Sequence, residues 1–159
     1  MPFASSYSSK PRFICDEQLG RLAKWLRLEG FDTRFQCPIS DTDLIHLAQS
    51  EKRILLTRDR HLQAKTLWDA VVVIEAIHYA KQLTELRKKI RLPHSVPFTR
   101  CLRCNELIQP ISKSEIQSKV PEEVHRSYQN FYTCPSCKKV FWRGSHVENS
   151  EKRLRGLQD

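Results

Sequence analysis

The chain has 159 residues, a hydrophobic content of 40% and four glycines, which exclude a fibrous or wholly disordered protein. Its 27 Lys and Arg outnumber its 18 Asp and Glu, and the formal net charge of +9 favours a polyanionic partner, nucleic acid before an acidic membrane. No apolar run approaches the roughly 18–20 residues of a membrane span, so we expect no membrane partner.

The first predicted strand follows a serine-rich leader. Residues 1–11 lack the apolar core of a signal peptide and predict a disordered segment. Residues 12–15 predict a short apolar strand that ends at Asp16. The helix that follows has an apolar stripe on one side, while Arg21, Lys24 and Arg27 lie on the other side, close to where Asp16 starts it. These three cations either contact phosphate or form a solvated helix face.

Two aspartates open the next predicted helix. Ser40 and Asp43 have the spacing of a capping box. In a capping box the side chain of the N-cap residue accepts from the backbone N–H three residues later, and the side chain of that later residue accepts from the backbone N–H of the N-cap. At least one of Asp41 and Asp43 is therefore expected to have a structural role. The other remains a candidate for the site.

The central predicted strand, residues 54–57, ends abruptly in charge. Its apolar and β-branched residues are followed by Arg58, Asp59 and Arg60, so an acid again stands at the carboxyl end of a strand. Ligands of open parallel sheets bind at that end. Asp59 alternatively caps the next helix, since Asp is a favoured N-cap residue. The matching arrangement at the end of the first strand favours the site.

The rest of the N-terminal part alternates strand and helix. Residues 71–74 form a continuous β-branched strand, and residues 79–90 form a basic helix. This alternation predicts an α/β fold with a parallel sheet flanked by helices. We place this domain at residues 12–91 and a proline-containing linker at 92–100.

Two Cys-x-x-Cys units predict a zinc ribbon over residues 101–147, with a partly helical insert and a polar tail at 148–159. Four thiolates supply a complete structural zinc site, whereas disulfides or a redox pair lack a suitable context. Paired cysteines also indicate a reducing compartment, which predicts a cytoplasmic protein. The predicted zinc ligands are Cys101, Cys104, Cys134 and Cys137.

Basic and aromatic residues are mixed after the second Cys-x-x-Cys unit. Lys138, Lys139 and Arg143 are candidates for phosphate contact, and the aromatic residues between them suit base stacking. Packing of a ribbon strand is an equally suitable explanation. We favour packing for Phe141 and leave Trp142 open.

The acids at the strand ends predict a metal site. In a parallel sheet, Asp16, Asp59 and either Asp41 or Asp43 can converge on one edge, and such a group of like charges needs a counter-charge. All-oxygen ligands select Mg²⁺ or Mn²⁺, which activates water and neutralises charge on a phosphodiester. Thr57 is placed to hydrogen-bond a metal-bound water. The cations expected to hold the flanking phosphates are Arg21, Lys24, Arg58 and Arg60.

The order of these motifs resembles a known family. The motifs are Asp16-x-x-Leu19-Gly20-Arg21-Leu22-Ala23-Lys24-Trp25-Leu26-Arg27, Gly30-Phe31-Asp32, Asp41-x-x-Leu44, residues 53–59, the two Cys-x-x-Cys units and Trp142-x-Gly144-Ser145-His146. Together they are similar to the PIN-like ribonuclease family named after the C-terminal part of the mutator-seven exonucleases. The resemblance covers residues 12 to about 155.

The resemblance implies a PIN-like fold with a zinc ribbon and metal-dependent cleavage of RNA. The family's acids fall on Asp16, Asp41 and Asp59, with Asp43 where the family more often has Glu. Thr57 matches a small hydroxyl residue of the family. Gln18 and Ser40 offer no further acid, which leaves ligands for one metal ion.

Two hypotheses follow. The first is a ribonuclease that uses Mg²⁺ or Mn²⁺ and acts on tRNA, rRNA or other single-stranded RNA. The second is a non-catalytic RNA-binding module, in which the ribbon and basic helices bind and the acids only cap helices. Acids facing a phosphate ligand would weaken simple binding, so the sequence favours the ribonuclease.

Overall fold

A four-stranded parallel sheet forms the centre of the N-terminal part. The computed structural model describes residues 10–93 and 95–156, so the first nine residues of the predicted leader lie outside the described residues. The spatial order of the strands is β2-β1-β3-β4, with every neighbouring pair parallel, and all their carboxyl ends lie at one edge. The strands are β1 (Phe13–Cys15), β2 (Thr33–Phe35), β3 (Ile54–Thr57) and β4 (Val71–Val73).

Helices cover both faces of this sheet. These helices are α1 (Gly20–Leu28), α2 (Asp41–Ser50), α3 (Arg60–Lys65) and α4 (Tyr79–Lys89). The C-terminal part adds α5 (Glu122–Ser127), which packs in the ribbon, and α6 (Ser145–Gly156). Side chains alternate along β1, so Phe13 packs against α1 and α4 while Ile14 packs against α2 and α3. None of the helices in the described part of the chain is long and apolar enough to span a membrane.

The C-terminal part contains a smaller antiparallel sheet. Its strands are β5 (Gln109–Ile111), β6 (Phe131–Thr133) and β7 (Val140–Trp142), in the spatial order β5-β6-β7. Ile116, Phe131 and Val140 form its small buried core. The parallel sheet flanked by helices, followed by a four-cysteine cluster, confirms the fold class expected from the sequence.

The segment predicted as a linker packs against the end of α1. Gly30 ends that helix with φ +91°, and a Cβ atom there would clash with the backbone oxygen of Val96. The backbone N–H of Phe98 donates to the carbonyl of Leu28 at 3.0 Å. The chain therefore lies close to the N-terminal part as it passes into the ribbon.

The first Cys-x-x-Cys unit is attached to the parallel sheet by two buried or half-buried side chains. Nη1 of Arg27 donates to the carbonyls of Leu102 at 2.8 Å and Arg103 at 3.0 Å, while its Nε donates to the carbonyl of Thr33. Oδ1 of Asn105 accepts from the backbone N–H of Thr33 at 2.9 Å. The position of the cysteines is thus set by helix α1 and strand β2.

Helix α6 occupies most of the segment predicted as a polar tail from residue 148. Although most of its residues are charged or polar, the helix has a small apolar face, formed by half-buried Val147 and buried Leu154. Leu154 belongs to the same core as Phe13 of β1 and Leu22 of α1. Residues 157–159 of the predicted tail lie outside the described residues.

Candidate functional site

Asp16 and Asp59 are connected through the hydroxyl of Thr57. Thr57 Oγ1 donates to Asp16 Oδ2 at 2.7 Å and accepts from the backbone N–H of Asp59 at 3.0 Å. Thr57 is fully buried at the end of β3, whereas both acids are half-buried at the carboxyl edge. The structure thus brings together three of the residues that the sequence predicted for the catalytic site.

Both acids also cap helices. Oδ1 of Asp16 accepts from the backbone N–H of Glu17 at 2.6 Å, at the start of a 3₁₀ turn that leads into α1. Oδ1 of Asp59 accepts from the backbone N–H of His61 at 2.7 Å, at the start of α3. Each carboxylate uses Oδ1 for its cap, so the capping role and a role in the site are compatible.

Asp41 and Asp43 begin α2 and have polar partners of their own. Asp41 Oδ2 pairs with Lys65 Nζ at 3.1 Å. Asp43 Oδ2 accepts from the hydroxyl of Ser40 at 2.7 Å, and the same hydroxyl accepts from the backbone N–H of Asp43 at 3.1 Å. Ser40 is the N-cap, so one half of the predicted capping box is present. The Asp43 carboxylate does not complete the box, because it accepts from the hydroxyl of Ser40 and not from its backbone N–H.

The acids do not form a closed cluster. In the described part of the chain, the four cysteines are the only group of three or more potential ligands whose ligand atoms all lie within 4.8 Å of one another. The partners of Asp41 and Asp43 explain this, since each carboxylate is directed to Lys65 or Ser40. Mg²⁺ commonly uses one or two carboxylates together with water and substrate phosphate. Asp16 and Asp59 fit that donor set.

Two arginines flank the acid of strand β3 and differ in their contacts. Nη1 of Arg58 donates to Oε1 of Gln18 at 3.2 Å, and its buried Nε has no hydrogen-bond partner among the described residues. Arg60 is exposed and pairs with Glu75. Arg58 is therefore the more closely held of the two at the sheet edge.

The predicted cations of α1 are exposed. The guanidinium carbon of Arg21 lies 6.0 Å from the centroid of the Tyr79 ring, which directs this side chain toward α4. Lys24 borders a cavity of about 530 Å³ that also reaches Arg103. Lys24 thus faces the ribbon, while Arg21 turns away from it.

The predicted cations of the ribbon lie beside aromatic rings. Lys139 Nζ is 5.8 Å from the centroid of Phe141, and the guanidinium carbon of Arg143 is 5.8 Å from the centroid of Phe98. Lys138 is exposed and lies directly after the second Cys-x-x-Cys unit, with φ +60°. Of the predicted cations, Lys24 of α1 and Lys139 of the ribbon therefore line the same cavity between the two sheets.

The four cysteines are positioned to hold one metal ion. Their sulfurs lie within 4.8 Å of one another, and Cys101 Sγ is 3.8 Å from Cys137 Sγ. Tetrahedral zinc with bonds of about 2.3 Å would separate its thiolates by about 3.8 Å. The backbone N–H of Lys139 lowers the pKa of Cys137 to about 7, whereas burial and the neighbouring thiols raise the pKa of Cys104 to about 12.

Some residues of this region were not predicted from the sequence. Arg27 was assigned to a solvated helix face, but it is buried, and burial lowers the pKa of its guanidinium. Lys65, which pairs with Asp41, carries no motif. Phe98 lies in a segment that its prolines predicted to be a linker. Arg103 is one of the two residues between Cys101 and Cys104. Of these four residues, only Arg103 carried a signal in the sequence, since it is a basic residue inside a motif.

The described chain thus combines a parallel sheet that has acids at its carboxyl edge with a cluster of four cysteines that could hold a metal ion. A family model described as the Mut7-C RNAse domain matches residues 11–154. The match covers nearly the whole chain, and the protein belongs to this family. Comparison with curated proteins and with solved structures gives no match.

Proposed function

We propose that the protein is a ribonuclease that hydrolyses RNA phosphodiester bonds with Mg²⁺ or Mn²⁺ held by Asp16 and Asp59. The observation that carries the proposal is that the Thr57 hydroxyl bonds both the carboxylate of Asp16 and the backbone N–H of Asp59 at the carboxyl edge. Membership of an RNAse-domain family supports RNA as the substrate. Asp41 is the additional ligand we expect once Lys65 releases it.

The metal supplies Lewis acidity, lowering the pKa of a bound water and neutralising charge on the phosphate. The residues of the chain do the rest. Thr57 fixes the orientation of Asp16 by donating a hydrogen bond to its Oδ2. The remaining lone pairs of both acids are left for a cation. Arg58, at the same edge, is placed to stabilise charge that develops on the scissile phosphate.

We further propose that the four cysteines hold a structural zinc ion. All four ligand positions of a tetrahedral site are supplied by thiolates, as is usual for structural rather than catalytic zinc. The site joins the ribbon to α1 through Arg27, so the ion supports the surface between the two sheets.

The central experiment compares Asp16→Asn and Asp59→Asn with the unchanged protein in single-turnover RNA cleavage at varied Mg²⁺ and Mn²⁺. Asn is as good an N-cap as Asp, so each variant keeps the cap and loses the charge. We expect cleavage to be lost and the free energy of unfolding to change by less than about 1 kcal/mol. Asp69→Asn, at an exposed position before β4 and at the opposite edge, is the matched control.

The alternative function predicted from the sequence is a non-catalytic RNA-binding module. The capping bonds of Asp16 and Asp59 are the observation in its favour. Retained cleavage in both Asn variants would reject the proposed catalytic site. Absence of any metal-dependent cleavage by the unchanged protein, with RNA binding intact, would favour the module.

A further inference from the structure

Two adjoining cavities lie between the parallel sheet and the ribbon. The first has a volume of about 530 Å³ and the second about 210 Å³. They share Leu102, Lys139 and Phe141 as lining residues. We call the two together the basic–aromatic groove, whose principal residues are Lys24, Phe35, Phe98, Arg103, Lys139 and Phe141.

The first cavity begins near the carboxyl end of β1, which Asp16 follows. Gly20, which lines it, starts α1 directly after the turn capped by Asp16. Phe35, which also lines it, ends β2 and lies opposite Cys15 in the parallel pairing with β1. A Cβ atom at Gly20 would come within 2.9 Å of the Phe35 ring, so the glycine lets this ring lie against the helix. The groove therefore extends from the carboxyl edge of the sheet.

The second cavity is organised around Phe98. This residue has φ +59°, a left-handed backbone conformation that is unusual for a bulky side chain. The ring makes edge-to-face contacts with Tyr132 at 5.8 Å and Phe141 at 6.4 Å between centroids. Backbone strain of this kind concentrates at functional sites, where surrounding structure maintains it. Trp142 completes the aromatic lining.

The charge of the groove is of one sign. Lys24, Arg103 and Lys139 border the first cavity, and Arg100 with Lys139 borders the second. No acidic side chain lines either cavity in the described part of the chain. The buried Nε of Arg100 has no hydrogen-bond partner among the described residues. Cations that alternate with aromatic rings match a polyanion that exposes flat rings.

We infer that the basic–aromatic groove binds unpaired nucleotides of RNA next to the scissile phosphate, with one base stacked among Phe98, Phe141 and Trp142. This inference rests on the proposed ribonuclease function. Lys24, Arg103 and Lys139 contact the phosphates that connect that base to the acids. A duplex keeps its bases stacked on each other and offers only its backbone. The groove thus selects single-stranded RNA.

The test measures RNA binding by full-length Asp59→Asn protein, so that cleavage does not interfere. Three probes of equal length are compared: a single-stranded oligoribonucleotide, an abasic ribose–phosphate chain of the same charge, and a perfect RNA duplex. We expect the base-containing single strand to bind most tightly. Phe98→Leu and Phe141→Leu, each retaining apolar bulk without an aromatic face, should weaken that binding by about 5- to 150-fold and leave abasic binding unchanged.

The phosphate contacts have their own variants. Lys139→Ala should weaken binding of both single-stranded probes. It should also make the plot of log affinity against log salt concentration less steep, by about 0.7 in the magnitude of its slope. Lys119→Ala, at an exposed position of the insert outside the groove, is the matched control and should change neither quantity.

Equal affinity for the abasic chain and the base-containing strand would overturn the inference, as would tighter binding of the duplex. Binding to vesicles of anionic phospholipid in place of RNA would also overturn it. The proposed function is judged separately, by cleavage in the Asp16 and Asp59 variants. Loss of cleavage there without base-dependent binding would reject the groove and leave the ribonuclease.

Discussion

The hydroxyl of Thr57, on β3, donates a hydrogen bond to the carboxylate of Asp16, which follows the neighbouring strand β1, with 2.7 Å between Oγ1 and Oδ2. Thr57 is fully buried, whereas Asp16 extends to the edge of the sheet. A residue of the core thereby fixes the orientation of a residue of the site. The same hydroxyl holds the backbone of Asp59, so one side chain positions both acids.

Replacing Thr57 separates the hydroxyl from the shape of the side chain. Thr57→Val keeps the shape but leaves the backbone N–H of Asp59 and Oδ2 of Asp16 without this partner. We expect a loss of about 1–3 kcal/mol in the free energy of unfolding together with reduced RNA cleavage. Thr57→Ser keeps the hydroxyl and loses a methyl group, costing about 0.5–1.5 kcal/mol with cleavage largely retained. Urea unfolding and single-turnover cleavage distinguish the two, and equal cleavage in both variants would contradict a role for the hydroxyl.

We predict that Lys65 competes with a metal ion for Asp41. The ion pair between them is exposed on both sides, with side-chain accessibilities of 58% and 54%, so its strength is modest. Lys65→Ala should lower the Mg²⁺ concentration needed for half-maximal cleavage by about two- to fivefold. Lys88→Ala, an exposed lysine of α4, serves as control. A metal requirement that is the same in all three proteins would show that Asp41 is no ligand.

Arg58 and Arg60 differ in the step that they should affect. Arg58 is held at the sheet edge by Gln18, while Arg60 pairs with Glu75 at the surface. Arg58→Ala should reduce single-turnover cleavage more than RNA affinity, because its charge acts on the developing transition state. Arg60→Ala should change both only slightly. Proportional losses of rate and affinity in Arg58→Ala would make Arg58 a docking charge.

Metal removal should affect the parallel sheet as well as the ribbon. A core drawn only from residues 12–90, as the sequence predicts for the N-terminal domain, would be expected to survive loss of zinc. The structure changes this expectation, because loss of the ion frees the carbonyls of Leu102 and Arg103 that satisfy buried Arg27. We expect Cys104→Ser to destabilise the sheet by about 3 kcal/mol.

Hydrogen exchange at the amides of β1 and β3 measures this coupling. Arg27→Met provides the control, since an apolar side chain of similar length has no charge to leave unpaired. In that background, chelation should alter protection in the ribbon and spare the sheet. Unchanged protection of β1 and β3 in Cys104→Ser itself would contradict the coupling.

Asp32 should make stability depend on acid pH. Burial alone would raise its pKa, but hydrogen bonds from Arg53 and Asn105 outweigh burial and hold the pKa below its usual value. A lowered pKa contributes stability above the unfolded-state value of about 3.9, and this contribution disappears as the pH falls through the folded-state pKa. Asp32→Asn should therefore be less stable than the unchanged protein at pH 7, with the difference shrinking below about pH 4.

Urea unfolding at several pH values checks this prediction. The exposed Asp69→Asn should follow the unchanged protein throughout. A stability difference for Asp32→Asn that stays constant from neutral to acid pH would exclude a contribution from ionised Asp32.

The strands and caps of the N-terminal part could be predicted because they are local. The apolar run at residues 54–57 matches β3, Gly30 ends α1 with positive φ, and Ser40 caps α2. The cysteine cluster was predictable from spacing alone, and its four sulfurs do come together. Each of these features depends on neighbouring residues or on a fixed geometry of ligands.

The contacts between distant segments could not be predicted in the same way. Charge periodicity placed Arg27 at a solvated face, yet the arrival of Leu102 and Arg103 buries it. The convergence of Asp41 or Asp43 with Asp16 and Asp59 was expected from the common edge of a parallel sheet, which does not reveal that Lys65 pairs with Asp41. A helix as polar as α6 shows little periodicity when few of its residues touch the core.

The core around Phe13 is completed late in synthesis. It includes Leu154, which is translated long after β4, the last strand of the parallel sheet. At about 5–20 residues per second, the finished sheet waits on the order of ten seconds for α6 to leave the ribosome. We expect the nascent chain to expose the apolar surface that Leu154 covers throughout that interval. A recombinant chain cut before α6 would expose this surface permanently and is expected to accumulate as insoluble protein.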